Sequence, residues 1–430
     1  MDVVQTFGNI VSSQAEHHPE RAERILYAGW RAQLLNLTVH PDKRLPAARQ
    51  YAARIAMQKI TQAMRHPENA AAISLFTPYE PLHAAGILPF SVEQMSCFIG
   101  GSDAEQKFLE LAGDAGFSDT MCSYHRVFLG TAASNLMPKP RFTVYTTLVC
   151  DGNLITFPYI QRHFDIPGFC IDVPYEQNED AVQDVAGQLR LMVQFVEDCT
   201  GRRITDEALT ETVARGWQSA LNYRRFLRAT PGKRLPADMT NEMYALLMNH
   251  VLIGSPETAT FCNMLADEME QAPASDGLRL VWVHTMPFSQ APLIERINFN
   301  DDAFVTACDL AVDPMMIDID PQKPYEAMAR RLVYSSMNGP TENRVKLAVD
   351  LARETEADGV VLYNHWGCKA TLGASRLIKQ GVEAAGYPCL LLDGDGVDVS
   401  NRSDGQTSTR FDAFLELLHA RRARAQGGRA

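Results

Sequence analysis

The stretch from Gly359 to Arg410 constrains the fold most. It reads Gly-Val-Val-Leu-Tyr-Asn-His-Trp-Gly-Cys-Lys, then a segment of helical composition, then Leu-Leu-Leu-Asp-Gly-Asp-Gly and a polar run ending Gly-Gln-Thr-Ser-Thr-Arg. Val360 to Tyr363 is apolar and partly β-branched, which predicts a buried strand; Ala370 to Ala385 predicts a helix, and Pro388 to Leu392 a second strand. Two strands joined through one helix run parallel with a right-handed crossover. Ligands of such sheets gather beyond the carboxyl ends of the strands, which is where Cys368 and Asp393 fall.

The same alternation recurs upstream. Ala72 to Phe76, Ile87 to Phe90, Arg141 to Leu148 and Phe169 to Val173 predict strands, interleaved with helices at Ser102 to Gly113 and from Cys122 to about Ser134. Thr77-Pro78-Tyr79-Glu80 predicts a helix start, with threonine as cap, proline at the first position and glutamate three residues on. Leu278 to His284 and Val305 to Asp309 are further strands before the opening stretch completes the set. The expectation is an α/β protein with two doubly wound parallel sheets. The predicted units are a helical arm (1–68), a first α/β domain (69–177), a helical connector (178–272), a second α/β domain (273–421) and a disordered basic tail (422–430).

The chain has 430 residues, too many for one ordinary domain. Its formal net charge of −12 opposes a nucleic-acid partner, which needs a basic face. No apolar run reaches the length of a membrane span, and the start Met-Asp-Val-Val-Gln-Thr-Phe lacks a signal-peptide pattern. A cytoplasmic location without a membrane partner is expected. There the nine cysteines are not a disulfide framework.

Three of those cysteines stand apart. Cys122 opens a helix, while Cys150 and Cys368 each end a strand, with Ser123, Asp151 and Lys369 beside them. Cys97, Cys170, Cys199, Cys262 and Cys389 lie in apolar or helical runs and are expected to pack; Cys308 also leans to packing, although it stands at a strand end. The absence of Cys-x-x-Cys disfavours zinc ribbons, ordinary ferredoxin motifs and redox pairs. Spacing alone leaves open whether Cys122, Cys150 and Cys368 share a metal or are unrelated.

Six motifs in order go further. Thr77-Pro78-Tyr79-Glu80-Pro81-Leu82-His83-Ala84-Ala85-Gly86-Ile87-Leu88-Pro89 is the first. Cys122-Ser123-Tyr124 with Gly130, and Thr146-Thr147 with Cys150-Asp151, come next. Asp358-Gly359-Val360-Val361 leading to Gly367-Cys368-Lys369 is followed by Asp393-Gly394-Asp395 and by Gly405-Gln406-Thr407-Ser408-Thr409-Arg410. From about Ala70 to Leu418 the chain thereby resembles the 2-hydroxyacyl-CoA dehydratase family, which includes benzoyl-CoA reductase subunits.

The resemblance implies two flavodoxin-like domains and a [4Fe–4S] cluster held by Cys122, Cys150 and Cys368, with one iron lacking a protein thiolate. It implies dehydration of an (R)-2-hydroxyacyl-CoA to a 2-enoyl-CoA through a ketyl radical. An ATP-dependent iron–sulfur activator would inject the electron, and a homologous second subunit would complete a heterodimer. A reductase of an acyl-CoA or small molecule, and a cluster-free scaffold or electron-transfer subunit, are the competing readings. Glu80 is a candidate acid–base residue or else a capping glutamate, and His83 a neighbour on the same helix. Ser123 and His365 are further catalytic candidates, and Lys369 a substrate-binding one. Asp393 and Asp395 are expected to shape a turn, with Gln406 and Arg410 ordering the loop that follows. No dinucleotide fingerprint or P-loop is present, which assigns ATP to the activator.

Overall fold

The computed structural model describes residues 2–427. Among them, eight strands form two four-stranded sheets. The first holds β1 (Ala70–Ile73), β2 (Leu88–Ser91), β3 (Phe142–Thr146) and β4 (Gly168–Ile171). The second holds β5 (Leu278–Val283), β6 (Ala303–Cys308), β7 (Gly359–His365) and β8 (Cys389–Gly394). All neighbours are parallel, in the orders β2-β1-β3-β4 and β6-β5-β7-β8. Each sheet steps once to one side and then crosses to the other, the order of flavodoxin-like folds. The expected α/β class with two such sheets is what the chain adopts.

Helices cover both faces of the central strands, so every residue of β7 is buried and its sequence reads as an almost unbroken apolar run. The crossing point lies between β1 and β3 in one sheet and between β5 and β7 in the other. The turns after β3 and β7 therefore open on equivalent crevices, and they carry Cys150 and Cys368.

The N-terminal helices Val3–Ala15 and Pro19–Val39 form a hairpin. The third helix, Ala47–Arg65, is part of the core rather than a covering arm. It packs on Met239–Asn249 and Pro256–Glu270 from the helical middle of the chain. Pro46 supplies no side-chain cap, and the Glu268 carboxylate accepts the free Ala47 and Ala48 N–H groups at 2.7 and 3.0 Å instead. A buried Arg49–Glu242 ion pair at 2.7 Å ties the same helices together. No helix among the described residues is long and apolar enough to cross a membrane.

Several local expectations change. The helix after β1 is only Glu80–Ala84, and Thr77 does not cap it; its hydroxyl pairs with Ser74 Oγ at 2.7 Å. Local hydrogen bonding of Thr77 back to the strand end outcompetes the capping geometry. Helices Val92–Gly100 and Asn153–Phe164 stand where the sequence predicts none. The Gly405–Arg410 run is not a loop but the start of a helix, Asp404–Gly427. That helix carries Arg422 to Gly427 of the expected disordered tail, and Arg422 pairs with Asp358 at 2.6 Å. Residues 428–430 lie outside the described residues.

Candidate active site

Cys122 is the N-cap of helix Ser123–Ala133, and Cys368 that of helix Lys369–Ala384. Cys150 sits between β3 and helix Asn153–Phe164. The two sheets bring all three to one cavity of about 410 Å³. Close backbone approach makes this possible. Gly367 has φ +82°, and a Cβ there would stand 2.7 Å from Cys122 N and Cα. Gly152 clears the His125 ring in the same way, since its Cβ would lie 2.8 Å from Cδ2. Val149, just before Cys150, is held at φ +58°, a costly conformation for a β-branched residue and one that clusters at functional sites.

Histidines face two of the sulfurs. His125 Nε2 is 3.1 Å from Cys150 Sγ, and His365 Nε2 is 3.3 Å from Cys122 Sγ. Cys368 Sγ lies 3.7 Å from Thr371 Oγ1. Burial pushes the Cys122 thiol well up, and the nearby Cys150 and Cys368 push it further. Burial likewise raises Cys150, with Glu93 and Cys368 adding to it. Backbone N–H groups act in the opposite sense: His125 N–H donates to Cys122, and those of Gly152 and Asn153 to Cys150. These amides favour thiolate, so a cation in the cavity would find sulfur ligands already aimed and partly stabilised.

The walls also carry the charged or titratable residues Glu93, Asp151, His284, Arg344 and Lys369. Burial pushes the Glu93 carboxyl up to about 7, and its Oε2 has no hydrogen-bond partner. His284 follows β5 at φ +79°, its Nδ1 is likewise unpartnered, and burial holds the ring well below its ordinary pKa and hence neutral. Buried Arg344 donates to Asp309 Oδ2 at 2.9 Å and to Thr371 Oγ1 at 2.7 Å. Asp309 Oδ1 in turn accepts the His284 N–H at 2.6 Å, fixing the turn that carries that ring.

Residues 74–418 match the family model of the 2-hydroxyglutaryl-CoA dehydratase D-component. The chain belongs to this family. It is similar to the (R)-phenyllactyl-CoA dehydratase alpha subunit of Clostridium sporogenes, 23% identical over 80% of this chain and 88% of that one. It is similar to the same degree, 23%, to the alpha subunit of lactoyl-CoA dehydratase from Anaerotignum propionicum, over 88% of this chain and 94% of that one. A more distant likeness is to one of the benzoyl-CoA reductase subunits of Thauera aromatica, 19% identical over 73% and 80% of the two chains.

Within this dehydratase family member, the residues singled out from the sequence separate into two groups. Cys122, Cys150, Cys368, His365 and Lys369 line the cavity. Ser123 is adjacent but turned away, donating to Asp395 Oδ1 at 2.6 Å. Asp395 also accepts the Val397 and Asp398 N–H groups, so it shapes the turn as expected and clasps the other domain as well. Asp393 takes Asn364 and Arg410, and Gln406 is exposed on the last helix. Glu80 is not brought to the cysteines; it is fully buried against Arg331. His83 packs with Nε2 on the Val251 carbonyl at 3.1 Å and is pushed down to about 4 by burial.

Among the other cysteines, Cys262, Cys308 and Cys389 are buried. Cys97 reaches the cavity wall, and Cys170, on the edge strand β4, is exposed. Sequence reasoning passes over Glu93, His125, His284 and Arg344. A strand-end signal exists for His284, which follows β5 as Cys368 follows β7. Glu93 has none, because the sequence predicts no helix there.

Proposed function

We propose that the chain is an iron–sulfur subunit of a 2-hydroxyacyl-CoA dehydratase, eliminating water from an (R)-2-hydroxyacyl-CoA to give a 2-enoyl-CoA. It would work with a homologous second subunit, in keeping with relatives named as alpha subunits, and with an ATP-dependent iron–sulfur activator. The observation that carries the reading is the convergence of Cys122, Cys150 and Cys368 on a cavity that also holds the Glu93 carboxyl, with one oxygen unpartnered and its pKa near neutrality.

The donor set fits a [4Fe–4S] cluster. Among the described residues, no three His, Cys, Asp or Glu side chains group tightly enough for a single metal ion. A cluster asks for something else: thiolates spread around a volume, each reaching a different iron. Three cysteines around one cavity, two of them receiving backbone N–H groups, meet that need. When bound, the cluster would supply one electron to the substrate thioester.

The chain's own residues do the rest. Glu93 Oε2 takes the C3 proton of the acyl group, which loses its ordinary inertness once the thioester is reduced. A base with pKa about 7 is half ionised at neutral pH and able to pass the proton on. Neutral His284 offers Nδ1 to hydrogen-bond the substrate hydroxyl. Lys369, exposed at the rim, offers its ammonium to the phosphates of CoA. Leu75, Phe76, Leu246, Leu247 and Leu310 keep the interior apolar and exclude water.

The benzoyl-CoA reductase likeness supports a second reading, net reduction of an acyl-CoA. Product analysis with the activator, the second subunit and a panel of acyl-CoAs separates them. The proposal expects 2-enoyl-CoA without net electron consumption; stoichiometric consumption would replace it with the reductase reading. In anaerobic preparations, Cys368→Ala should abolish the cluster's optical absorption while Cys199→Ala leaves it, and equal effects would reject the ligand set.

A further inference from the structure

His365 is the last residue of β7, three positions before Cys368, with 1% of its surface exposed. Its ring stands edge-on to Tyr124 and is stacked with His284. Its Nδ1 receives the backbone N–H of Gly396 at 3.1 Å. An amide N–H only donates, so Nδ1 must present its lone pair, and the one proton of the neutral ring sits on Nε2. Nε2 is the atom 3.3 Å from Cys122 Sγ.

Among the described residues, the one carboxylate in hydrogen-bonding or ion-pair contact with Nδ1 is Asp395, at 3.7 Å. Its Oδ1 is already taken by Ser123 Oγ, Val397 N and Asp398 N at 2.6, 2.9 and 2.8 Å, so it does not draw a proton onto Nδ1. His125 differs. Its Nδ1 meets the Thr156 hydroxyl at 2.8 Å, which can donate or accept, so geometry leaves its tautomer undetermined. The orientation of His365 is dictated by the fold, because a main-chain donor decides it.

We infer that His365 is a positioning residue: a fixed Nε2–H donor to the Cys122 sulfur that makes the iron–sulfur group easier to reduce. The inference rests on the cluster reading above. An N–H aimed at a ligating sulfur draws charge from it and favours the more electron-rich, reduced state; hydrogen bonds to sulfur are among the factors that set cluster potentials. No bond is made or broken. One electron enters from an external reductant, and the proton stays on Nε2.

The test compares wild type, His365→Leu and His365→Gln, reconstituted anaerobically, by iron and sulfide content and by redox titration. Glutamine keeps an N–H donor at similar reach, and leucine removes it. All three should carry equal iron. At a fixed potential, His365→Leu should show a roughly tenfold smaller ratio of reduced to oxidised cluster, a shift of about 59 mV for a one-electron couple, and His365→Gln should stay near wild type. An unshifted His365→Leu, or leucine and glutamine variants shifting together, would overturn the inference. Should the leucine variant fail to fold, nitrogen-15 shifts of labelled histidine in wild type decide the tautomer, and a proton on Nδ1 of His365 overturns it equally. Wild type without iron would reject the cluster and this inference with it. An iron-loaded wild type whose leucine variant shows no potential shift rejects this inference alone.

Discussion

Glu93 is held by a short helix beside the cavity, with one carboxylate oxygen unpartnered and a pKa near 7 caused first by burial. Glu93→Gln keeps the shape but cannot take a proton, so turnover should fall roughly 10²–10⁴-fold while iron content stays at the wild-type level. Stability should respond in the opposite direction. The folded protein keeps this proton up to about pH 7, whereas the unfolded chain releases it near its ordinary 4.5. Ionisation therefore opposes folding, and the contribution of Glu93 to stability declines between those values and stays lost above them. Urea midpoints should show Glu93→Gln more stable than wild type at pH 8 by up to about 3 kcal/mol and level with it near pH 4.5. A gap that is the same at both values would mean the carboxyl is not desolvated. Gly367 makes the complementary point about backbone. Its left-handed φ and its contact with Cys122 are invisible in a sequence, where a glycine before a cysteine reads only as a turn.

At the scale of elements, the short helix Glu80–Ala84 shows how a correct motif can serve another purpose. Glu80 stands at the start of the helix, two positions earlier in it than the pattern predicts, and its side chain is enclosed and paired with Arg331 from a helix of the second domain. Gly254 is part of the enclosure: at φ +83°, a Cβ there would come within 2.8 Å of Glu80 Cγ. Arg331→Met should strand a buried carboxylate and cost about 3–5 kcal/mol. Adding Glu80→Gln should restore most of that loss, because the pair is coupled. Chemical denaturation of the single and double variants measures it, and simple additivity of the two losses would refute the coupling. The helix that follows Cys368 is legible because a strand end followed by helical composition is a local signal, and the helix that Cys122 opens is legible from its composition. The helix bearing Glu93 is not, since Val92 to Gly100 continues directly from β2 without a loop to separate them.

At the scale of the molecule, polar clasps join the two α/β domains, among them Ser123 to Asp395 at 2.6 Å, Tyr124 to Thr285 at 2.7 Å, and Glu80 to Arg331. Ser123→Ala should cost about 1–2 kcal/mol, the usual penalty for removing one partner of a buried hydrogen bond. Hydrogen exchange should quicken in Asp395 to Arg402 while the amides of β7 stay protected. Unchanged exchange in that loop would mean the clasp does not hold it. The sequence by itself determined the parallel strands, the strand-end placement of Cys150 and Cys368, and the family, because hydrophobic periodicity and ordered motifs are written in neighbouring residues. Only the tertiary structure decided which polar groups share the cavity. It separated Glu80 from the cysteines, brought Glu93 and His284 to them, and turned Ser123 toward Asp395. Those choices depend on contacts between residues as many as 272 positions apart, and on which buried polar groups find partners when two sheets close on one another. No local pattern carries that information.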